Sequence, residues 1–417
     1  MKKIIPFLLA FLLLIPAGCS GTKKTELTEL EKYIFEVSEY TELDYDFADN
    51  YYKETNDNWQ VGCSAISKMV DGHRLVGRNM DLNISNKCAY IIRTNAGKYK
   101  TIGLAYTFRK ISPDYEEVKT KGISDEFYKL LPFSCDDVLN DAGLHVEINM
   151  RHGEYWPNGD CKFPCSGTNP DAERRVYLFE LPRYIGENCA TVEEAKEYVK
   201  TLNIYSQNDY WNYCFLISDA KGNSSLLEFS LDEILWLDEA KIPEYDWLSV
   251  YGMKAIGQTN FFLSKLSWYA QDIKSGEGRF ITLQKGIGDV KSRSDMYDLM
   301  KKVQYSNFYL DYDECKNNCF DPRSENIGEF SWGTYDVLMD PEMEDLSRQY
   351  LNEYTASIRA LSREEKQKEN KYWESTFTEV VDTDAKEIFV RMFENEDSLY
   401  VLGFDGTRKV GSISEWK

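Results

Sequence analysis

The sequence predicts an α+β fold in which two antiparallel sheets pack together with helices outside them. Strand-like runs fill the start of the main region, from Ser64 to Thr107, and its end, from Thr376 to Phe404. The stretch between mixes such runs with a few amphipathic helical segments. No Gly-rich loop opens a helix to hold phosphate, and strands and helices do not alternate as a parallel sheet requires, so nucleotide chemistry is not expected. The 417 residues, 42% hydrophobic and 14% aromatic, are ample for a sizeable core. A formal net charge of -21 argues against nucleic acid or an anionic membrane surface as a partner.

Residues 1–19 read as an export signal, with Lys2 and Lys3 as the positive end, Ile4 to Ile15 as the apolar run and Pro16-Ala17-Gly18-Cys19 as the cleavage region. Cys19 stands where a bacterial lipoprotein carries its lipid, so the protein is expected to be exported, either to the cell envelope or as a secreted chain. The only expected membrane association is that anchor. Residues 20–62 read as a tether and pro-segment: Leu27, Leu30, Ile34 and Val37 fall on one helical face, and Asp44 to Trp59 is a polar, Tyr-rich strap. Residues 63–417 form the main domain.

That domain opens on a hairpin. Ser64 to Val70 alternates polar and apolar residues, Asp71-Gly72 is a favoured two-residue turn, and Leu75 to Met80 returns. The pairing brings Arg78 and Asp81 back beside Cys63. Strand-like runs follow at Cys88 to Thr94 and Thr101 to Thr107, and Asn140-Asp-Ala-Gly143 is a turn feeding a strand that ends on Asn149. Glu154 to Asn169 reads as a pocket-walling loop. Thr191-Val-Glu-Glu194 is a capping box for a helix that buries Val192, Ala195, Val199 and Leu202. Strands at Tyr213 to Ser218, Ser224 to Phe229 and Ile234 to Leu237 make a meander, which Gly257-Gln258-Thr259-Asn260 closes. Met296, Leu299, Met300 and Val303 mark a helix, Asp345 to Asn370 a charged surface helix, and Thr376 to Val381, Glu387 to Phe393 and Leu399 to Phe404 three closing strands.

The hairpin carries the chemistry. Arg78 stabilises a Cys63 thiolate or a developing anion, and Asp81 accepts from a neighbouring ammonium. His73, His145 and His152 are the three histidines, and this arrangement requires none of them. A nucleophile that is the first residue of its chain has a base in its own α-amine, whose unperturbed pKa is near ~8. Cleavage of Gly62-Cys63 is therefore expected. Apart from Cys19 and Cys63, eight cysteines remain: Cys88, Cys135, Cys161, Cys165, Cys189, Cys214, Cys315 and Cys319. An even count in an exported chain fits disulfides. The pairs Cys161/Cys165 and Cys315/Cys319 invite a zinc reading, but their loop-like surroundings favour oxidised cysteines, and neither a metal nor a cofactor is expected.

Several stretches, in order, resemble the choloylglycine hydrolase and penicillin V acylase family, linear amide C–N hydrolases with an N-terminal nucleophile. They are Cys63 with Gly77-Arg78-Asn79-Met80-Asp81, Asn140-Asp-Ala-Gly-Leu leading to Asn149, Leu216 to Gly222, Gln258-Thr259-Asn260, Gly278-Arg279-Phe280-Ile281, and the paired strands Ser375 to Val381 and Phe389 to Asn395. The resemblance implies a four-layer αββα sandwich. It implies Cys63 as nucleophile and, through its amine, base, with Arg78 and Asp81 beside it. Asn149 and Asn260 are implied as oxyanion and amine-orienting residues, and Arg279 as a second active-site arginine. The implied substrate is a small-molecule acyl amide, such as a conjugated bile acid, penicillin V or an N-acyl amino acid or lactone. Tyr155, Trp156, Phe163, Phe261 and Phe262 are candidate acyl contacts, and a homo-oligomer is an open expectation.

Two rival readings are kept. A papain-like thiol hydrolase would pair Cys63 with His145 or His152 and need no processing. A nonenzymatic lipoprotein would bind a ligand with its aromatic loops and bury Cys63 as an ordinary thiol.

Overall fold

The computed structural model describes residues 27–54, 61–83, 88–106, 111–151, 168–172, 174–206, 212–230, 233–261, 263–264, 276–304, 341–362, 365 and 373–416. In chain order these begin with β1 (Leu27–Glu31), β2 (Ile34–Tyr40), α1 (Tyr45–Glu54), β3 (Val61–Val70), β4 (His73–Asn83), β5 (Ala89–Thr94) and β6 (Thr101–Tyr106). Then come α2 (Tyr115–Lys121), α3 (Asp125–Leu130), β7 (Asp137–Asn140), β8 (His145–Arg151), β9 (Arg175–Tyr177), α4 (Leu181–Asn188), α5 (Val192–Val199) and β10 (Asn203–Tyr205). The meander is β11 (Asn212–Ser218), β12 (Ser224–Ser230) and β13 (Glu233–Asp238), followed by β14 (Gly257–Gln258), α6 (Glu277–Gly286), α7 (Arg293–Lys302) and α8 (Glu344–Arg359). Last are β15 (Trp373–Asp382), β16 (Glu387–Met392), β17 (Leu399–Gly403) and β18 (Gly406–Lys409).

A nine-stranded sheet runs β1-β2-β5-β6-β7-β8-β11-β12-β13, and a seven-stranded sheet runs β14-β3-β4-β15-β16-β17-β18. Directly opposed residues in an antiparallel pair share a face, so the registers fix what each sheet shows its neighbours. Gly77 turns outward from the seven-stranded sheet, where an added Cβ would lie 2.7 Å from Met300 and 2.8 Å from Met296 of α7. Arg78, one residue on, turns inward to Asp137 and Glu147 of the nine-stranded sheet. On the far side of that sheet, Val138 meets Gly186 of α4, and the Asn140 side-chain amide donates to the Gly186 and Cys189 carbonyls. Helix, sheet, sheet and helix make the αββα order expected from the sequence.

The region before Cys63 departs from its expected form. The spacing of Leu27, Leu30, Ile34 and Val37 is that of two short strands around a turn at Lys32-Tyr33, not of a helix. β1 and β2 form a hairpin, and β2 pairs in parallel with β5. Parallel pairing requires a long connection, here supplied by α1 and the β3–β4 hairpin in the other sheet. The expected strap contains α1 instead, with the Asp44 carboxylate accepting from the Phe47 N–H at 3.1 Å. Its Tyr52 is buried and stacks on Tyr177, with ring centroids 4.8 Å apart. Phe35, Val37 and Tyr40 share a core with Tyr90, Ile92 and Phe127.

Two further expectations are corrected. Gly257-Gln258 pairs with Ile66 and Ala65 of β3, not with the meander, because the chain crosses to the other sheet after β13. Cys135 and Cys189 are buried free thiols rather than disulfide partners, Cys135 accepting from Arg183 at 2.8 Å. Cys161, Cys165, Cys315, Cys319, the signal segment with Cys19, and His152 lie outside the described residues. No helix among the described residues is long and apolar enough to cross a membrane.

Candidate active site

The hairpin that carries Cys63 has the register its sequence predicts. Asp71 and Gly72 both take positive φ, 49° and 89°, as a type I′ turn demands, and Val70 faces His73. Counting back, Ala65 faces Arg78, Cys63 faces Met80 and Gly62 faces Asp81. Cys63 and Arg78 therefore share the inner face, with the Cys63 thiol 3.7 Å from the Met80 sulfur. Asp81 belongs to the opposite face, with Ser64 and Asn79. The two charged residues thus act on Cys63 from different sides.

Arg279, near the start of α6, ties that outer side together. Its Nη1 donates to the Cys63 carbonyl at 2.9 Å, to Ser64 Oγ at 2.8 Å and to Asp81 Oδ2 at 3.3 Å, and its Nη2 donates to Asn260 Oδ1 at 2.8 Å. Asn260 Oδ1 also accepts from the Cys63 backbone N–H at 3.1 Å, while its Nδ2 donates to the Met150 carbonyl. Ser375 Oγ donates to the other Asp81 oxygen. Asn260 and Arg279 thus hold the N–H and the carbonyl of Cys63, which belong to the two peptide groups on either side of its Cα.

Arg78 occupies the inner side. Its guanidinium donates to Asp137, Glu147 and the Ile148 carbonyl and stacks near the Phe377 ring. Glu147 also accepts from Gln258 Nε2. Asn149 lies two residues along the same face, and with its amide nitrogen and oxygen exchanged, the assignment its neighbours favour, it donates to Glu147 Oε2 at 3.0 Å and the Ile148 carbonyl at 3.1 Å. Beyond Asp137, His145 Nε2 stands 3.5 Å from Asp137 and 3.7 Å from Glu379.

Every one of these side chains is buried. Burial pushes the Cys63 thiol well above its ordinary range, which the Arg78 guanidinium opposes without cancelling. Burial likewise raises the Asp81 carboxyl to about 7, against the pull of Arg279 and Ser375. An unbroken chain through Gly62-Cys63 therefore holds a neutral thiol with no free amine beside it.

The six expected catalytic residues gather around Cys63 in two hydrogen-bonded groups: Cys63, Asn260, Arg279 and Asp81 on the outer side, and Arg78 and Asn149, both facing Glu147, on the inner side. Phe261 is packed edge-to-face on Phe280, with centroids 5.5 Å apart, while Tyr155, Trp156, Phe163 and Phe262 lie outside the described residues. Glu147, Asp137, Gln258 and Ser375 were missed by the sequence reading. Glu147 had a signal: His145, Glu147 and Asn149 put polar residues on alternate positions of a strand, all on one face. Asp137 had none.

No curated protein matches the chain. Among solved structures, a variant of conjugated bile acid hydrolase from Clostridium perfringens aligns at TM-score 0.42 and 15% identity, covering 84% of this chain and 98% of that one. Penicillin V acylase from Agrobacterium tumefaciens aligns at TM-score 0.39 and 12% identity, covering 82% and 86%. The family model described as linear amide C–N hydrolases, choloylglycine hydrolase family, matches residues 63–252. From Cys63 to Gly252, then, the chain carries the sequence pattern of the choloylglycine hydrolase family, whose chemistry is hydrolysis of linear amide C–N bonds.

Proposed function

We propose that the protein hydrolyses a nonpeptide linear amide with Cys63 as an N-terminal nucleophile, exposed by scission of Gly62-Cys63. The observation that carries this reading is the hold on the Cys63 backbone: its N–H donates to Asn260 Oδ1, and its carbonyl accepts from Arg279. Scission would convert that N–H into an α-amine already aimed at Asn260. The family match starts on Cys63 itself.

In this mechanism the free amine takes the thiol proton, and sulfur attacks the acyl carbonyl. The α-ammonium then returns the proton to the leaving amine, and water hydrolyses the thioester. Arg78 favours the thiolate from the inner face. Asn260 orients the amine, Asn149 is the candidate oxyanion donor, and Arg279 holds Asn260, Asp81 and the Cys63 carbonyl in one geometry. The substrate class is an apolar acyl group joined to a polar amine, as in conjugated bile acids, penicillin V and N-acyl amino acids or lactones.

Residues 1–19 are the proposed export signal, with Cys19 the lipidation site. The segment before Cys63 would not leave on scission, because β1, β2 and α1 are built into the nine-stranded sheet and its core. The enzyme is then two chains in one folded body. Intact-mass analysis with N-terminal sequencing of protein from its native host should find an active chain beginning at Cys63, co-eluting with a fragment that ends at Gly62. Active protein whose chains all begin upstream of Cys63 refutes the mechanism, and failure of a panel of acyl amides to turn over with processed protein refutes the activity.

A further inference from the structure

Asp137, His145 and Glu379 come from β7, β8 and β15, so they meet across the gap between the two sheets. All three are fully buried. Asp137 Oδ1, both ring nitrogens of His145 and both oxygens of Glu379 have no hydrogen-bond partner. Buried polar atoms are almost always satisfied, so five orphans in one cluster need a cause.

An imidazolium shared by two carboxylates does not supply it. Charge-assisted N–H···O bonds close to about 2.7–2.9 Å. Here Nε2 stands 3.5 Å from Asp137 Oδ1 and 3.7 Å from Glu379 Oε1. Bonds of about 2.0–2.2 Å in tetrahedral directions hold neighbouring ligand atoms about 3.3–3.6 Å apart, so the first separation falls inside that range and the second just beyond it. One ligand atom from each residue lies within 4.8 Å of the others. Charge points the same way. The carboxylates of Asp137, Glu147 and Glu379 face one guanidinium, Arg78, whose bonds use Asp137 Oδ2 and Glu147 and leave Asp137 Oδ1 unused. With Asp136 also buried nearby, the carboxylates outnumber the guanidinium, and a divalent cation beside a neutral His145 offsets most of that excess.

We infer that Asp137 Oδ1, His145 Nε2 and Glu379 form a structural site for a divalent cation of the zinc class, which pins the two sheets together beside Arg78. One imidazole and two carboxylates are ligands zinc accepts, with water free to complete four-coordination. The ion enters during folding, since the site lies between the sheets. It takes no part in the amide chemistry, and the inference stands apart from the proposed function.

The test uses the full chain purified without chelator from zinc-supplemented medium. Elemental analysis should give about one zinc per chain, retained through gel filtration. Refolding with cobalt chloride in place of zinc should give the visible d–d absorption of a tetrahedral site. Glu379→Gln and His145→Gln should each lower the content at least tenfold, while His73→Gln, outside the cluster, should keep it. If a variant does not fold, anomalous diffraction at the zinc edge of the wild-type crystal still places the ion. Wild-type protein with less than a tenth of an equivalent after both native purification and refolding in zinc chloride overturns the site. So does zinc that persists in the His145→Gln, Glu379→Gln double variant, or that diffracts elsewhere.

Discussion

Two regions of the layer between the sheets are built from the same kinds of residue and end in opposite conditions. Around the Cys63 backbone, the N–H, the carbonyl, Asn260, Arg279 and Asp81 close a circuit of hydrogen bonds. About two strands away, His145, Asp137 and Glu379 are as deeply buried and leave five polar atoms without partners. In a low-dielectric layer a satisfied network rigidifies and an unsatisfied one is costly. The first region holds the backbone of Cys63 on both sides of its Cα. The second leaves its polar atoms unmatched, and Arg78 belongs to both, since it shares a face with Cys63 and bonds Asp137.

The comparison breaks most sharply at the nucleophile. Cys63→Ala should remove turnover by at least about 10³-fold and abolish scission at residue 62, with the fold unchanged by circular dichroism. Turnover that survives in this folded variant would move the chemistry elsewhere. Next comes the residue the regions share. Arg78→Met leaves Asp137 and Glu147 buried without their cation and should cost about 3–5 kcal/mol in urea unfolding. A loss near zero would mean that the inner carboxylates are already neutral or otherwise compensated.

Asn260→Ala separates positioning from stability. It should stay folded while kcat falls roughly 10²–10³-fold, the scale for removing one preorganised hydrogen-bonding group at a reacting centre. Full turnover by the folded variant would remove Asn260 from the site.

The smallest effect is a slope with pH. Asp81 has a folded pKa of about 7 because burial outweighs Arg279 and Ser375, whereas an unfolded aspartate titrates near ~4. Between those values the folded chain holds a proton that the unfolded chain has lost. Its contribution is therefore full below about pH 4 and fades as pH rises through 7. Asp81→Asn should lose less stability than wild type between pH 4.5 and 7.5, measured by urea midpoints; equal losses would mean that Asp81 is ionised throughout.

Much of the candidate site was legible because its signals are local. Asp71-Gly72 demands a tight turn, and period-2 pairing from it puts Arg78 opposite Ala65, on the Cys63 face. The thiol and guanidinium needed no fold to be paired. Asn260 and Arg279 entered only through a resemblance; they lie 197 and 216 residues from Cys63, and nothing in their own stretches points back to it. Ser375 and Asp137 were missed for the same reason. Leu27 to Val37 misled because two short strands around a turn imitate helical spacing.

The amino-acid order by itself determined the Cys63 hairpin, its register and the alternation that sends Arg78 inward and Gly77 outward, since turn chemistry and strand period act over a few residues. Tertiary structure alone decided that Asn260 and Arg279 close on the Cys63 peptide, that the first strands join the nine-stranded sheet, and that His145 and Glu379 meet. Those meetings come from stacking two sheets about 10 Å apart, driven by apolar burial along their whole faces, and a one-dimensional pattern does not record which faces meet.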